Sequence, residues 1–185
     1  MAMQSAMLAL GTPAPAFSLP DVVSGRTISL DTFVGSKALL VMFICRHCPF
    51  VVHVQGEIAR LGGEYIPKGA GIVAISANDA ATYPDDHPER LKEMAAEQGF
   101  TFPYCYDETQ ATARAYQAVC TPDFFLFDAS HRLVYRGQLD DTRPGRGTPT
   151  GRDLRAALDA VLAGRAVNAE QRPSVGCGIK WKAGH

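Results

Sequence analysis

The chain has 185 residues, 46% of them hydrophobic and 20% charged. That length is the size of a single domain, treating ~150 residues per domain as a soft prior, and it buries roughly 70% of its unfolded surface without a disulfide scaffold. The composition excludes a mostly disordered chain. Eighteen basic against 19 acidic side chains leave a net charge of −1, which excludes the electrostatic footprint of a nucleic-acid binder and a polybasic membrane anchor. No apolar run reaches the ~18 residues of a membrane span.

In chain order, residues 1–10 are mildly apolar and carry no Lys or Arg. A secretory signal needs a basic start, so they read as a short, frayed cytosolic leader, and a cytoplasmic location is expected. Residues 11–20 are Pro-rich and extended. Residues 22–30 hold the turn signal Ser24-Gly25 between two apolar pieces, a small hairpin. The run from Ala38 to Ile44 is continuously apolar, as in a central strand covered on both faces. Pro49 opens a helix with Val51, Val54, Ile58 and Leu61 on one face, stopped by Gly62-Gly63.

Residues 71–77 read as a second buried strand, 82–87 as a polar loop, 88–98 as a helix closed by Gly99, and 102–106 as a short strand. Residues 108–117 read as a helix with Ala111, Ala115 and Tyr116 inward. Residues 124–127 and 133–135 make an antiparallel hairpin, 141–151 a loop, and Leu154, Leu158, Val161 and Leu162 a final amphipathic helix. The α/β order predicts a central mixed sheet flanked by helices, with the domain over 11–166 and a C-terminal tail packed on it over 167–185.

Five cysteines cannot all pair within one chain. Cys45 and Cys48 lie two residues apart in Cys45-Arg46-His47-Cys48, between the apolar strand and the helix. A C-x-x-C in that context reads as a redox motif. A cysteine at a helix N-terminus meets unpaired N–H groups and the positive end of the dipole, which lowers its pKa below the free value of about 8.5. Cys45 is therefore expected to be the exposed nucleophile and Cys48 the resolving thiol, with Arg46 and His47 adding positive charge. The chemistry is thiol–disulfide exchange. A zinc site needs about four ligands; His47 and His53 are near, but no second ligand pair completes a set, so no metal and no cofactor are expected.

The segment 41–51 resembles the active-site segment of thioredoxin-fold proteins, and Thr121-Pro122, before Phe124-Phe125-Leu126-Phe127, resembles their cis-proline loop. Residues 11–21 are similar to the start of redoxins, the peroxiredoxins and their thiol-reductase relatives. The tail from Pro173 to Lys182, with Gly-Cys-Gly-Ile-Lys-Trp, resembles that of bacterial peroxiredoxin-like thioredoxin-family proteins of the AhpC/TSA-redoxin type. The resemblance spans about residues 11–182. It implies a thioredoxin-like α/β fold, a cis Thr121–Pro122 bond facing the C-x-x-C, and a substrate segment paired with Thr121. Two departures matter. Aligned on Cys48, the peroxiredoxin threonine and proline are replaced by Cys45 and Val41. The tryptophan and buried aspartate of ordinary thioredoxins are replaced by Ile44 and Leu39.

The expected activity is thiol–disulfide oxidoreduction acting on protein or small-molecule disulfides with a reducing partner. A thiol peroxidase using Cys48 is the alternative enzyme, and a redox-inert or metal-holding binding module the alternative from another class. Cys120, before the loop, and Cys177, between two glycines in a flexible tail, are additional redox candidates; Cys105 reads as core. His53 and Arg132 or Arg136 are weaker candidates for tuning a thiolate, and Trp181 for pinning the tail to the domain.

Overall fold

A computed structural model describes residues 1–184; the last position of the expected tail, 185, lies outside them. In chain order the described residues form β1 (Ala2–Gln4), β2 (Ser18–Pro20), β3 (Thr27–Ser29), β4 (Ala38–Phe43), α1 (Pro49–Tyr65), β5 (Ala70–Ser76), α2 (Pro88–Gln98), β6 (Tyr104–Tyr106), α3 (Ala111–Ala115), β7 (Cys120–Thr121), β8 (Asp123–Asp128), β9 (Leu133–Gly137), α4 (Arg152–Leu162) and β10 (Val175–Gly178).

The main sheet has the order β6-β5-β4-β8-β9. β4 runs parallel to β5 and antiparallel to β8, so the sheet is mixed. Every residue of β4 is buried, because strands alternate their side chains and both faces of this one are covered. Leu40 and Met42 pack with Val51, Val54, Ile58 and Leu61 of α1, Leu91 of α2 and Leu154 and Leu158 of α4. Leu39, Val41 and Phe43 pack on the other face with Phe17, Ile28 and Tyr116. Glu57 of α1 is buried and accepts from Arg155 Nε of α4 at 2.6 Å, which ties the two helices. No helix among the described residues is long and apolar enough to cross a membrane.

β4, β5, α2 and the β8–β9 hairpin lie where the pattern puts them, while the small hairpin expected within 22–30 takes its first strand, β2, from the Pro-rich segment before it. Four further expectations change. First, α1 does not stop at Gly62-Gly63 but runs to Tyr65. A Cβ on Gly62 would sit 2.7 Å from Thr101 Oγ1 and 2.8 Å from Phe102 Cδ1, so this glycine serves close packing rather than termination. Second, α3 is a short turn of helix whose buried residues are Thr112 and Ala113, with Tyr116 just after it, while Ala111 and Ala115 face solvent. Third, the loop at 82–87 contains a 3-10 turn, Pro84–Asp86, that buries Asp86 completely.

Fourth, the two ends of the chain are ordered by each other. β10 pairs antiparallel with β1 on one side and β7 on the other, with Cys177 opposite both Ala2 and Thr121. Residues 2–4 are thus a strand, not frayed, and Cys177 is not in a flexible setting. Glycines have poor strand propensity, which hides β10 in the sequence. Gly176 is demanded here by a close approach: a Cβ would fall 1.9 Å from the Thr121 carbonyl oxygen.

Candidate active site

β4 carries the chain to Ile44 and Cys45, and α1 starts at Pro49 with Cys48 as its N-cap. Proline fits the first helical position because it has no N–H to lose there, and it pushes the residue before it out of the helical region. Cys48 accordingly has φ −73° and ψ 123°. The expected placement of Cys45 at the helix N-terminus is therefore corrected: Cys48 holds that place, and Cys45 lies three residues before it. Cys45 is also not exposed; its accessible surface is 1%, against 0% for Cys48. Neither cysteine is in a disulfide.

The Thr121–Pro122 peptide bond is cis, and the loop lies directly on the two sulfurs. Cys45 Sγ is 3.2 Å from Thr121 Oγ1, and the Cys48 thiol donates to the Thr121 carbonyl at 3.2 Å. The backbone edge of Thr121, expected to lie open for a substrate strand, is paired instead by β10 of the same chain. Beyond β10, Ile179 N–H donates to Val119 O, Lys180 N–H to Asn78 Oδ1 at 2.8 Å, and Lys182 N–H to Gln110 Oε1 at 2.9 Å. On its other side the Ser174 hydroxyl donates to Pro122 O at 2.6 Å.

The surroundings separate the two thiols. The neighbouring Cys45 thiol lowers the Cys48 pKa below that of a free thiol; the thiol and backbone N–H of Cys177 and the Val51 N–H at the helix start push the same way, against burial. Cys48 in turn raises Cys45, helped by burial and by the negative charge of Asp86, with only the Thr121 hydroxyl opposing. These surroundings favour ionisation of Cys48 over Cys45, the reverse of the order expected from the sequence, and on ionising Cys48 gives up its hydrogen bond to the Thr121 carbonyl.

Asp86 is the residue the sequence reading missed. Its carboxylate accepts from Arg46 N–H and from Asn78 Nδ2, each at 2.8 Å. His47 Nδ1 lies 2.6 Å from Asp86 Oδ2 in a poorly aligned contact, and the His47 ring stacks on Tyr83. Nothing distinguishes Asp86 from Asp85 in a polar stretch; only the 3-10 turn turns one of them inward. Arg46 does not charge the thiols. Its guanidinium donates to Arg90 O at 2.6 Å and pairs with Glu93 on α2. Cys45, His47 and Asp86 place one ligand atom each within 4.8 Å of one another, a group able to hold a metal ion but short of the four protein ligands of a structural zinc site.

An Asp86→Asn variant removes the charge that raises Cys45 while keeping the side-chain shape. In a Cys48→Ser background, the pH midpoint for alkylation of Cys45 is expected to move down. A midpoint that stays or rises contradicts the assigned role of Asp86.

Of the other candidates, Cys177 packs against the cluster that holds Cys48 and is itself raised to about 11, by burial and by its neighbour Cys48. Cys120 is fully buried and raised by burial and by Asp123. Cys105 is in the core, raised to about 12 by burial. His53 is drawn to Thr142 Oγ1 at 2.9 Å. Arg132 donates to Gly11 O, and Arg136 to Leu8 O and Gln171 Oε1, so neither is directed at a thiol. Trp181 carries the Arg114 guanidinium over its ring at 4.5 Å, which holds the tail to the segment of α3.

A solved structure of an uncharacterized conserved protein from Geobacillus kaustophilus is similar over 100% of this chain and 98% of its own, at 53% identity and a TM-score of 0.97. The thioredoxin domain of a thiol-disulfide oxidoreductase from Bacteroides vulgatus superposes with a TM-score of 0.59 over 74% of this chain and 90% of its own. At 23% identity that likeness speaks for the thioredoxin-like fold alone. A putative peroxiredoxin of Mycobacterium tuberculosis is 28% identical over 108 residues, 58% of this chain, and the match spans 63% of that relative's length. The family description AhpC/TSA matches residues 10–136, a stretch that runs from the segment before β2 through β4, the Cys45–Cys48 turn and the Thr121–Pro122 loop to β9; on that match the chain belongs to the AhpC/TSA family.

Proposed function

We propose that the chain is a thiol–disulfide oxidoreductase that cycles Cys45 and Cys48 between dithiol and disulfide. The observation that supports it is the convergence of both sulfurs on Thr121, each within 3.2 Å. The Cys48 thiolate attacks one sulfur of a substrate disulfide and expels the other as a thiolate, which takes a proton. Cys45 gives up its proton and attacks Cys48 Sγ, releasing the second substrate thiolate. The substrate gains two electrons and the chain holds a Cys45–Cys48 disulfide. A dithiol reductant restores it by the reverse exchange. Protein or small-molecule disulfides are the substrate class.

Titration of the protein against a thiol–disulfide buffer tests this. Trypsin cuts after Arg46, so Cys45 and Cys48 fall on the separate peptides 38–46 and 47–60, and their disulfide reads as a linked pair. A reversible two-electron transition is expected. A thiolate held on Cys48 stabilises the reduced form, so the potential is expected to be less negative than about −270 mV, the value of a thioredoxin. Absence of any reversible 38–46/47–60 link overturns the proposal.

One observation favours a second reading, thiol peroxidation. Cys48 is a thiolate at a helix N-terminus, buried where a small peroxide fits more readily than a protein. Cys48 would take the distal oxygen, release the alcohol or water, and form a sulfenic acid that Cys45 converts to the disulfide with loss of water. With Arg46, Arg132 and Arg136 directed elsewhere, peroxide turnover is expected to be slow. Rapid consumption through a sulfenic acid on peptide 47–60 favours this reading over the first.

A further inference from the structure

The disulfide just described lies below the surface, under the strand that covers the Thr121 edge. Cys45 and Cys48 are 1% and 0% exposed, and β10 covers the Thr121 edge beside them. Cys177, by contrast, is half-buried and packs against the apolar cluster that holds Cys45 and Cys48. Its position is built rather than incidental. β10 is held on both edges, by β1 and by β7, with Cys177 opposite Thr121. The glycines on either side permit this: a Cβ on Gly176 would strike the Thr121 carbonyl at 1.9 Å, and one on Gly178 would meet Met3 Sδ at 2.6 Å. The tail therefore lies along the cis-proline loop as an extended strand that pairs with the backbone there, the geometry of strand addition to a sheet edge, and presents its one sulfur to Cys48.

We propose that Cys177 is a third redox thiol that carries the disulfide between the buried Cys45–Cys48 pair and the surface, where a macromolecular dithiol can exchange with it. The proposal rests on the reading of Cys45 and Cys48 as a redox pair. The Cys177 thiolate attacks Cys48 Sγ of the Cys45–Cys48 disulfide. The Cys48–Cys177 bond forms, the Cys45–Cys48 bond breaks, and Cys45 leaves as a thiolate that takes the proton Cys177 lost; no electrons are gained or lost. A partner dithiol then attacks Cys177 Sγ and expels the Cys48 thiolate. The partner's second thiolate closes its own disulfide and releases Cys177, so two electrons pass from the partner to the chain.

The three sulfurs fall on three tryptic peptides, 38–46, 47–60 and 166–180, since the Arg172-Pro173 bond resists cleavage. A Cys45→Ser variant treated with one equivalent of diamide is expected to link 47–60 to 166–180. A Cys177→Ser variant is expected to link only 38–46 to 47–60. When it is oxidised, its rate of reduction relative to the wild type is expected to be at least about 10-fold lower with a dextran-tethered dithiol than with dithiothreitol, since attack must then reach a buried sulfur. No 47–60/166–180 link in Cys45→Ser, or equal rates with the tethered dithiol, overturns the role of Cys177. Absence of the 38–46/47–60 link in Cys177→Ser instead overturns the Cys45–Cys48 reading beneath it.

Discussion

Replacing Cys48 with serine is expected to lower disulfide-exchange turnover by at least about 100-fold, the scale on which loss of a positioned reacting group is felt. Cys48 is a partner in both sulfur–sulfur bonds that form within the chain, to Cys45 and to Cys177. It is also where the helix N-terminus, the Val51 N–H and the groups of Cys177 gather around a thiolate. A serine hydroxyl does not ionise in that place. The Cys45 that remains is buried beside the Asp86 carboxylate, which holds its proton on. The measurement is steady-state reduction of insulin disulfides with a dithiol donor, followed by peptide mapping after exposure to glutathione disulfide. In a Cys45→Ser/Cys177→Ser variant, glutathione is expected to stay bonded to peptide 47–60, because no neighbouring thiol is left to displace it. If Cys48→Ser retained more than about a tenth of the activity and glutathione collected on peptide 38–46, Cys45 would be the nucleophile and the assignment of the thiolate would be wrong.

The difference between those outcomes turns on three residues of helix register. Strand, C-x-x-C and helix are all legible from the apolar run 38–44, the cysteine spacing and Pro49, but which cysteine caps the helix is a matter of where proline stops the helical conformation. The central sheet was legible for a related reason: a strand buried on both faces has no polar alternation, and both 38–43 and 70–76 are such runs. The cis bond before Pro122 and the approach of Thr121 to the sulfurs were reached through resemblance; neither follows from residue type. What could not be read were contacts between distant segments that leave no local pattern. Asp86 looks like its neighbour Asp85 until a 3-10 turn buries it under Arg46, His47 and Asn78. β1 and β10 are three and four residues long, one exposed and one interrupted by glycines; β1 is a strand through its pairing with β10, and β10 through its pairing with β1 and β7.

Gly176→Ala is expected to be the most disruptive single methyl group in the tail. The new Cβ would lie 1.9 Å from the Thr121 carbonyl oxygen and 3.1 Å from Pro122 N. These are backbone atoms of the loop that meets both sulfurs, so no side chain can swing aside and β10 must lift. Overpacking of this kind costs about 1–3 kcal/mol, and for a chain of this size each kcal/mol lowers Tm by roughly 2–4 °C. Lifting β10 also withdraws the Cys177 N–H and thiol from Cys48, two of the groups that hold its pKa down. The pH midpoint for Cys48 alkylation should therefore rise toward the free-thiol value. Linkage gives the pH dependence of the stability loss. A thiol whose pKa is depressed by folding contributes stability that is fully present above its unfolded pKa of about 8.5 and is lost as pH falls through the folded value. The stability gap between the reduced parent and Gly176→Ala should accordingly be widest above about pH 8.5 and narrow in acid to the steric part alone. Gly178→Ala is the control: its Cβ meets Met3 Sδ at 2.6 Å, the end of a flexible side chain that can turn away, so its effects should be smaller. An unchanged Tm together with an unchanged Cys48 midpoint in Gly176→Ala would mean that β10 does not support the thiolate.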